Sequence, residues 1–172
     1  MKRLAALVLA LAVAASGAAC DDDSPTSPDD AVTFTAQLSP ANEVPPIGNA
    51  EASGSGSATI RFDLTRNSAG SITAATANFQ AALTGFPDNT ALTMAHIHNN
   101  VAGQTGPIVV DTGLTPGQIT LGTGAGNFAK EGVPVTNLTV LQNIIANPSQ
   151  FYFNVHSSLN SSGMARGQLV RQ

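Results

Sequence analysis

The chain has no tryptophan, one tyrosine and a single cysteine among 172 residues, and only 10% of its residues are charged. One thiol excludes an internal disulfide, so burial alone has to hold the fold. Seven Lys plus Arg stand against eleven Asp plus Glu, for a formal charge of −4. Nucleic acid is thereby excluded as a partner, since neutralising phosphates needs a basic surface. The acids Glu43, Asp63, Asp111 and Glu131 are scattered singly, which leaves no pair for a two-carboxylate hydrolase. Ser157 follows His156 without a Gly-x-Ser-x-Gly elbow or a paired acid and reads as a turn serine. Gly54 and Gly56 precede a strand rather than a helix, so they do not build a phosphate-cradling loop.

The N-terminus carries an export pattern. Lys2 and Arg3 precede an apolar run from Leu4 to about Ala15, and small residues follow up to Cys20. The run is too short to span a hydrocarbon core of about 30 Å and fits a signal peptide over residues 1–19. The cysteine at the cut resembles the lipobox of bacterial lipoproteins, which implies a diacylglycerol on Cys20 and attachment to a membrane through that lipid. Gly17 stands where the lipobox usually has Leu. Without lipidation the protein would be secreted. Residues 20–30 then form a lipidated cysteine and an acidic, Pro/Ser-rich tether. Removing Lys2 and Arg3 leaves five basic against eleven acidic residues, a formal charge of −6.

Residues 31–172 are expected to form one domain, and its hydrophobic period is two. Val32, Phe34, Ala36 and Leu38 alternate with polar residues, as do Ala58, Ile60, Phe62 and Leu64. The Ala58 strand and a long strand from Ser71 to Leu83 flank the turn Arg66-Asn67-Ser68-Ala69-Gly70, which predicts a hairpin. The strand carrying His96 follows. Pro107-Ile108-Val109-Val110 reads as a buried run, and strands are expected near Gln118 to Leu121, at Phe151 to His156 and at Gly167 to Arg171. One helix is predicted over Leu138 to Ala146, capped by Asn137 and stopped by Asn147-Pro148. Six to eight antiparallel strands with Gly/Pro turns imply an all-β, antiparallel Greek-key β-sandwich, immunoglobulin-like or superoxide-dismutase-like, with one short helix.

All three histidines fall in two strand segments, Met94-Ala95-His96-Ile97-His98 and Phe151-Tyr152-Phe153-Asn154-Val155-His156. Side chains two apart in a strand share a face, with Cα atoms roughly 6.5 to 7 Å apart, so His96 and His98 can serve one ion. His156 shares its face with Tyr152 and Asn154 and joins them if the two strands pack closely. Three imidazoles suit copper or zinc, and affinity would fall below about pH 6 as they protonate. The alternative role for His96 and His98 is hydrogen bonding that fixes the loop from Asn99 to Gly106. Met94 lies on the same face and could add a thioether, although a core role is expected of it.

Several segments together resemble the CHRD domain, the chordin-type extracellular module. They are Phe34-Thr35-Ala36-Gln37-Leu38 with Asn42-Glu43-Val44-Pro45-Pro46, Ala95-His96-Ile97-His98 with Gly106-Pro107-Ile108-Val109, and Phe153-Asn154-Val155-His156 with Gly163 and Arg166-Gly167-Gln168-Leu169. The family often has an acid after the glycine of the last turn, where this chain has Met164. The resemblance implies an exported binding or structural module and brings no catalytic residues with it. The His-x-His strand and the later Val-His strand are also similar to the copper-binding strands of copper/zinc superoxide dismutases. A fourth, bridging histidine, a His-rich zinc loop and a disulfide are absent.

The expectation is therefore a membrane-anchored module of the bacterial cell envelope that binds an unidentified protein or envelope ligand, with copper or zinc held by His96, His98 and His156. The competing expectation is a copper-dependent redox enzyme that removes superoxide.

Overall fold

The computed structural model describes residues 30–172, and Cys20, the signal segment and most of the tether lie outside them. The chain runs β1 (Ala31–Leu38), a 3-10 turn (Pro40–Asn42), β2 (Ser55–Arg66), β3 (Ile72–Thr84), β4 (Thr90–Asn99), β5 (Ile108–Asp111), β6 (Ile119–Leu121) and β7 (Gly126–Pro134). It closes with helix α1 (Leu138–Ala146), a second 3-10 turn (Pro148–Gln150), β8 (Phe151–Ser157), β9 (Ala165–Gln168) and β10 (Val170–Arg171). One sheet has the order β10-β1-β2-β3-β7; the other is β5-β4-β8-β9, with β6 also paired to β4. Every pairing is antiparallel, and the two sheets make an all-β sandwich.

Alternation in the strands decides which side chains fill the space between the sheets. In β1 and β2 the apolar set named above is buried and the residues between are at least partly exposed. Phe79 of β3 and Phe128 of β7 stack on Phe153 of β8, at centroid distances of 5.9 and 6.3 Å, so the aromatic core bridges the sheets. Each such ring contributes about 1.5–3 kcal/mol by leaving water. Helix α1 has the expected limits: the Asn137 side chain accepts from the Val140 N–H, and Leu141 and Ile144 are its buried residues. Among the described residues no helix is long and apolar enough to cross a membrane.

Four expectations need correction. The run Pro107 to Val110 is not buried throughout: β5 is an edge strand whose Ile108 is exposed, Val109 is partly buried against the core, and only Val110 is fully buried. The expected strand Gly167 to Arg171 is two strands in different sheets, β9 and β10, with buried Leu169 between them. Strand β7 was not anticipated, because only Phe128 of its nine residues is buried and there is no apolar alternation to read. The strand count rises to ten with β7 and with this division.

Candidate metal centre

The site is built on the outer face of the second sheet by three rows of cross-strand neighbours. Met94 of β4 pairs with His156 of β8, His96 with Asn154, and His98 with Tyr152. Strand β9 extends two rows, placing Arg166 opposite Asn154 and Gln168 opposite Tyr152. An outer face is ordinarily solvated. Here His96, His98 and His156 are only 2%, 8% and 5% exposed, and Asn154, Tyr152 and Arg166 are buried as well.

The cover comes from the segments after β1, after β4 and after β8. Arg166 donates from Nε to the Asn42 carbonyl and from Nη1 to the Gln104 carbonyl at 2.8 Å, while Asn42 Nδ2 returns a bond to the Arg166 carbonyl at 3.0 Å. The Glu43 carboxylate approaches Arg166 Nε at 4.0 Å. Two glycines make this docking possible. A Cβ on Gly163, whose φ is +138°, would sit 2.7 Å and 2.8 Å from the Glu43 oxygens, and a Cβ on Gly167 would sit 2.0 Å from the Gln37 carbonyl oxygen. The Asn42–Pro46 and Gly163–Leu169 segments are thus two halves of one contact. Met164, where the family often has an acid, is fully buried in the core.

One ligand atom from each histidine lies within 4.8 Å of the others. Hydrogen bonding settles which atoms face one another. His98 Nδ1 is 2.9 Å from the Gly106 carbonyl and His156 Nδ1 is 2.9 Å from the Ser161 carbonyl. A carbonyl only accepts, so both Nδ1 atoms carry hydrogen and both Nε2 atoms of the neutral rings are bare lone pairs. His96 Nδ1 lies 3.2 Å from His156 Nε2, and its own Nε2 faces Asp111 Oδ1 at 3.8 Å. With its hydrogen on Nε2, toward the carboxylate, His96 presents Nδ1 as the third lone pair.

Protonation is suppressed. Burial, then the neighbouring His156 and His98 rings, brings His96 down to about 4 against the pull of Asp111. His98 is lowered by burial and by Arg166 in spite of its bond to Gly106. His156 is lowered by burial and by His98 in spite of its bond to Ser161. The three rings are therefore neutral at pH 7 and stay competent for a metal further into acid than free imidazole would. Glu43 moves the other way: burial raises it to about 7, although Arg166 and Asn154 favour its charged form.

The geometry fits an ion. Three nitrogens at about 2.0–2.1 Å from one centre lie roughly 3.3–3.6 Å apart. The 3.2 Å His96–His156 pair is already close to that range, and a separation at the 4.8 Å limit has to close by about 1.2–1.5 Å. His98 Nε2 is buried with no hydrogen-bond partner, a costly state that a metal bond would relieve.

Of the residues expected at the site, all three histidines converge. His98 also does what the alternative role required, fixing the loop through Gly106. Met94 departs from expectation, being 36% exposed rather than in the core. Ser157 does have an acid beside it, since its hydroxyl donates to Glu51 Oε2 at 2.8 Å. The His156 Nδ1 hydrogen is committed to the Ser161 carbonyl, so no histidine links the hydroxyl to the acid and no Ser-His-acid relay forms. Glu43 and Arg166 were visible only as parts of motifs; their joint presence over the histidines carried no signal in spacing.

A buried side-chain cluster capped by two docked loops defines a sandwich-type binding or structural module. The chain belongs to the CHRD domain family, whose match runs over residues 34–169. Neither the curated proteins nor the solved structures include a match to it.

Proposed function

We propose that this protein is an exported CHRD module, tethered to the bacterial cell envelope through a lipid on Cys20, that holds one copper or zinc ion with His96 Nδ1, His98 Nε2 and His156 Nε2. The observation that carries the reading is the convergence of three buried imidazoles, with His98 Nε2 and His156 Nε2 free of hydrogen and His96 Nδ1 able to pass its own hydrogen to Nε2. The alternative, a purely structural cluster, leaves His98 Nε2 unpaired. Asp111 acts as the partner that orients His96, as carboxylates commonly do for metal-bound imidazoles. Copper(II) is expected to bind more tightly than zinc(II), following the general order for nitrogen donors.

The test is metal content and calorimetry on the domain purified without its signal. One equivalent of copper or zinc in the wild type, lost in His96→Ala, supports the proposal. No heat with either ion at neutral pH refutes it.

A second reading, copper-dependent superoxide removal, is favoured by the position of Arg166 beside the histidines, its guanidinium 4.6 Å from the centre of the Tyr152 ring that stacks on His98. It remains second because Arg166 is almost wholly buried and the chain has no bridging fourth histidine. A copper-loaded protein near the diffusion limit with superoxide would reverse that order.

A further inference from the structure

Among the described residues, five buried side-chain nitrogen or oxygen atoms lack a hydrogen-bond partner, and four of them belong to one patch: His98 Nε2, Glu43 Oε1, Asn154 Oδ1 and Arg166 Nη2. Unpaired buried polar atoms are scarce in native proteins, and each costs about 1–3 kcal/mol. Four together mark a place where something else binds. An ion on the three histidines satisfies only His98 Nε2. The other three atoms remain.

Their position relative to the ion follows from the sheet. The histidines all rise from strands β4 and β8, so an ion has the sheet on one side and the covering segments on the other. Asn154 shares a row with His96 and with Arg166. Glu43 lies against Asn154 and Gly163 from the covering side. No fourth histidine, cysteine or carboxylate joins the group of ligand atoms among the described residues, and three imidazoles leave at least one coordination position open.

We propose that Glu43, Asn154 and Arg166 form a polar cup that seats a small exchangeable oxygen ligand, a water or hydroxide, in that open position. The inference rests on the metal reading above. The hydrogen-bond balance is complete for water. Its two hydrogens go to Glu43 Oε1 and Asn154 Oδ1; one lone pair accepts from Arg166 Nη2 and the other faces the ion. A cavity of about 610 Å³ lined in part by Glu43, Val44, Arg166 and Gln168 borders two members of the cup, while Asn154 and the histidines lie outside its lining. A site with such a ligand would be of the open kind that exchanges it, unlike a closed structural centre.

The test uses the domain loaded with cobalt(II), whose visible bands report its coordination, and azide as the competing anion at pH 8. In the wild type, azide should shift the bands saturably. Glu43→Gln keeps the shape of the cup and removes a negative charge, so it should tighten azide about tenfold while leaving cobalt affinity within about threefold. A readout independent of any variant is solvent-proton relaxation of the copper(II)-loaded wild type, which should be enhanced and then quenched by azide. Cobalt bound normally with bands indifferent to azide, or copper without relaxation enhancement, overturns the open cup while leaving the metal site standing. Azide affinity unchanged in a folded Glu43→Gln protein removes Glu43 from the cup and overturns the proposal as stated. If no ion binds at all, the metal reading and the cup fall together.

Discussion

His96 Nδ1 and His156 Nε2 stand 3.2 Å apart across neighbouring strands, with the second hydrogen-bonding position of each ring already directed elsewhere. His156 is held by the Ser161 carbonyl, so it can only accept from His96. Without an ion, a single hydrogen on His96 Nδ1 joins the two rings. With an ion, that hydrogen has to pass to Nε2, where Asp111 faces it. The pair is thus compatible with both states.

Ion binding should stabilise the fold. At about a hundred times the dissociation constant the gain is roughly 2.7 kcal/mol, which raises the melting temperature by several degrees. Alanine at His96, His98 or His156 should abolish most of that shift. Met94→Leu should leave it intact, since Met94 lies toward solvent. Differential scanning fluorimetry with copper and zinc checks this, and an unshifted wild type would contradict it.

Stability without metal should depend on pH through two opposing terms. The histidines have folded values below their ordinary 6.5, so their contribution is complete above that value and is lost as pH falls. Glu43 is raised from 4.5 to about 7, so its contribution is complete below 4.5 and is lost as pH rises toward 7. On going from pH 7 to pH 5 the carboxyl therefore offsets part of the histidine loss. Glu43→Gln removes that offset, and its melting temperature should drop more steeply over this interval than that of the wild type. Equal slopes would show that Glu43 titrates normally.

The Gly163 turn offers a test of how the two docked segments fit. Gly163→Ala sets a Cβ against the Glu43 carboxylate at a positive φ and should cost about 1–3 kcal/mol. Glu43→Ala opens the space, so the double variant should be less destabilised than the sum of the two single changes. Denaturant melts of the four proteins measure the coupling. Strict additivity would mean that the contact does not constrain the turn.

Export and anchoring are tested at Cys20. In a bacterial host, Cys20→Ser should move the mature protein from the detergent fraction to the soluble one, and mass spectrometry of the wild type should find an acylated first residue. A soluble wild type with no acyl mass would leave an ordinary secreted module.

Much of the fold was legible because local pattern and long-range packing agree. The alternation of Val32 to Leu38 and Ala58 to Leu64, and the Asn137 and Asn147-Pro148 boundaries of α1, each carry their own physical signal. Strand β7 was not legible, since Gly126–Pro134 buries one side chain and takes its conformation from hydrogen bonds to β3. The division at Leu169 was hidden for a related reason. Its flanks pair with different sheets, and no composition marks the switch.

By itself the sequence determined that His96 and His98 share a face, that His156 shares one with Tyr152 and Asn154, and that no internal disulfide could form. Those follow from strand period and residue count. Only the tertiary structure decided that the two faces are the same one, because the register of β4 on β8 is set by pairing between residues about sixty positions apart. It also decided that the face is covered: Asn42 and Arg166 are separated by 124 positions and meet through backbone and guanidinium hydrogen bonds that no local propensity encodes. Burial then follows from that contact, and with it the neutrality of the imidazoles on which a metal site depends.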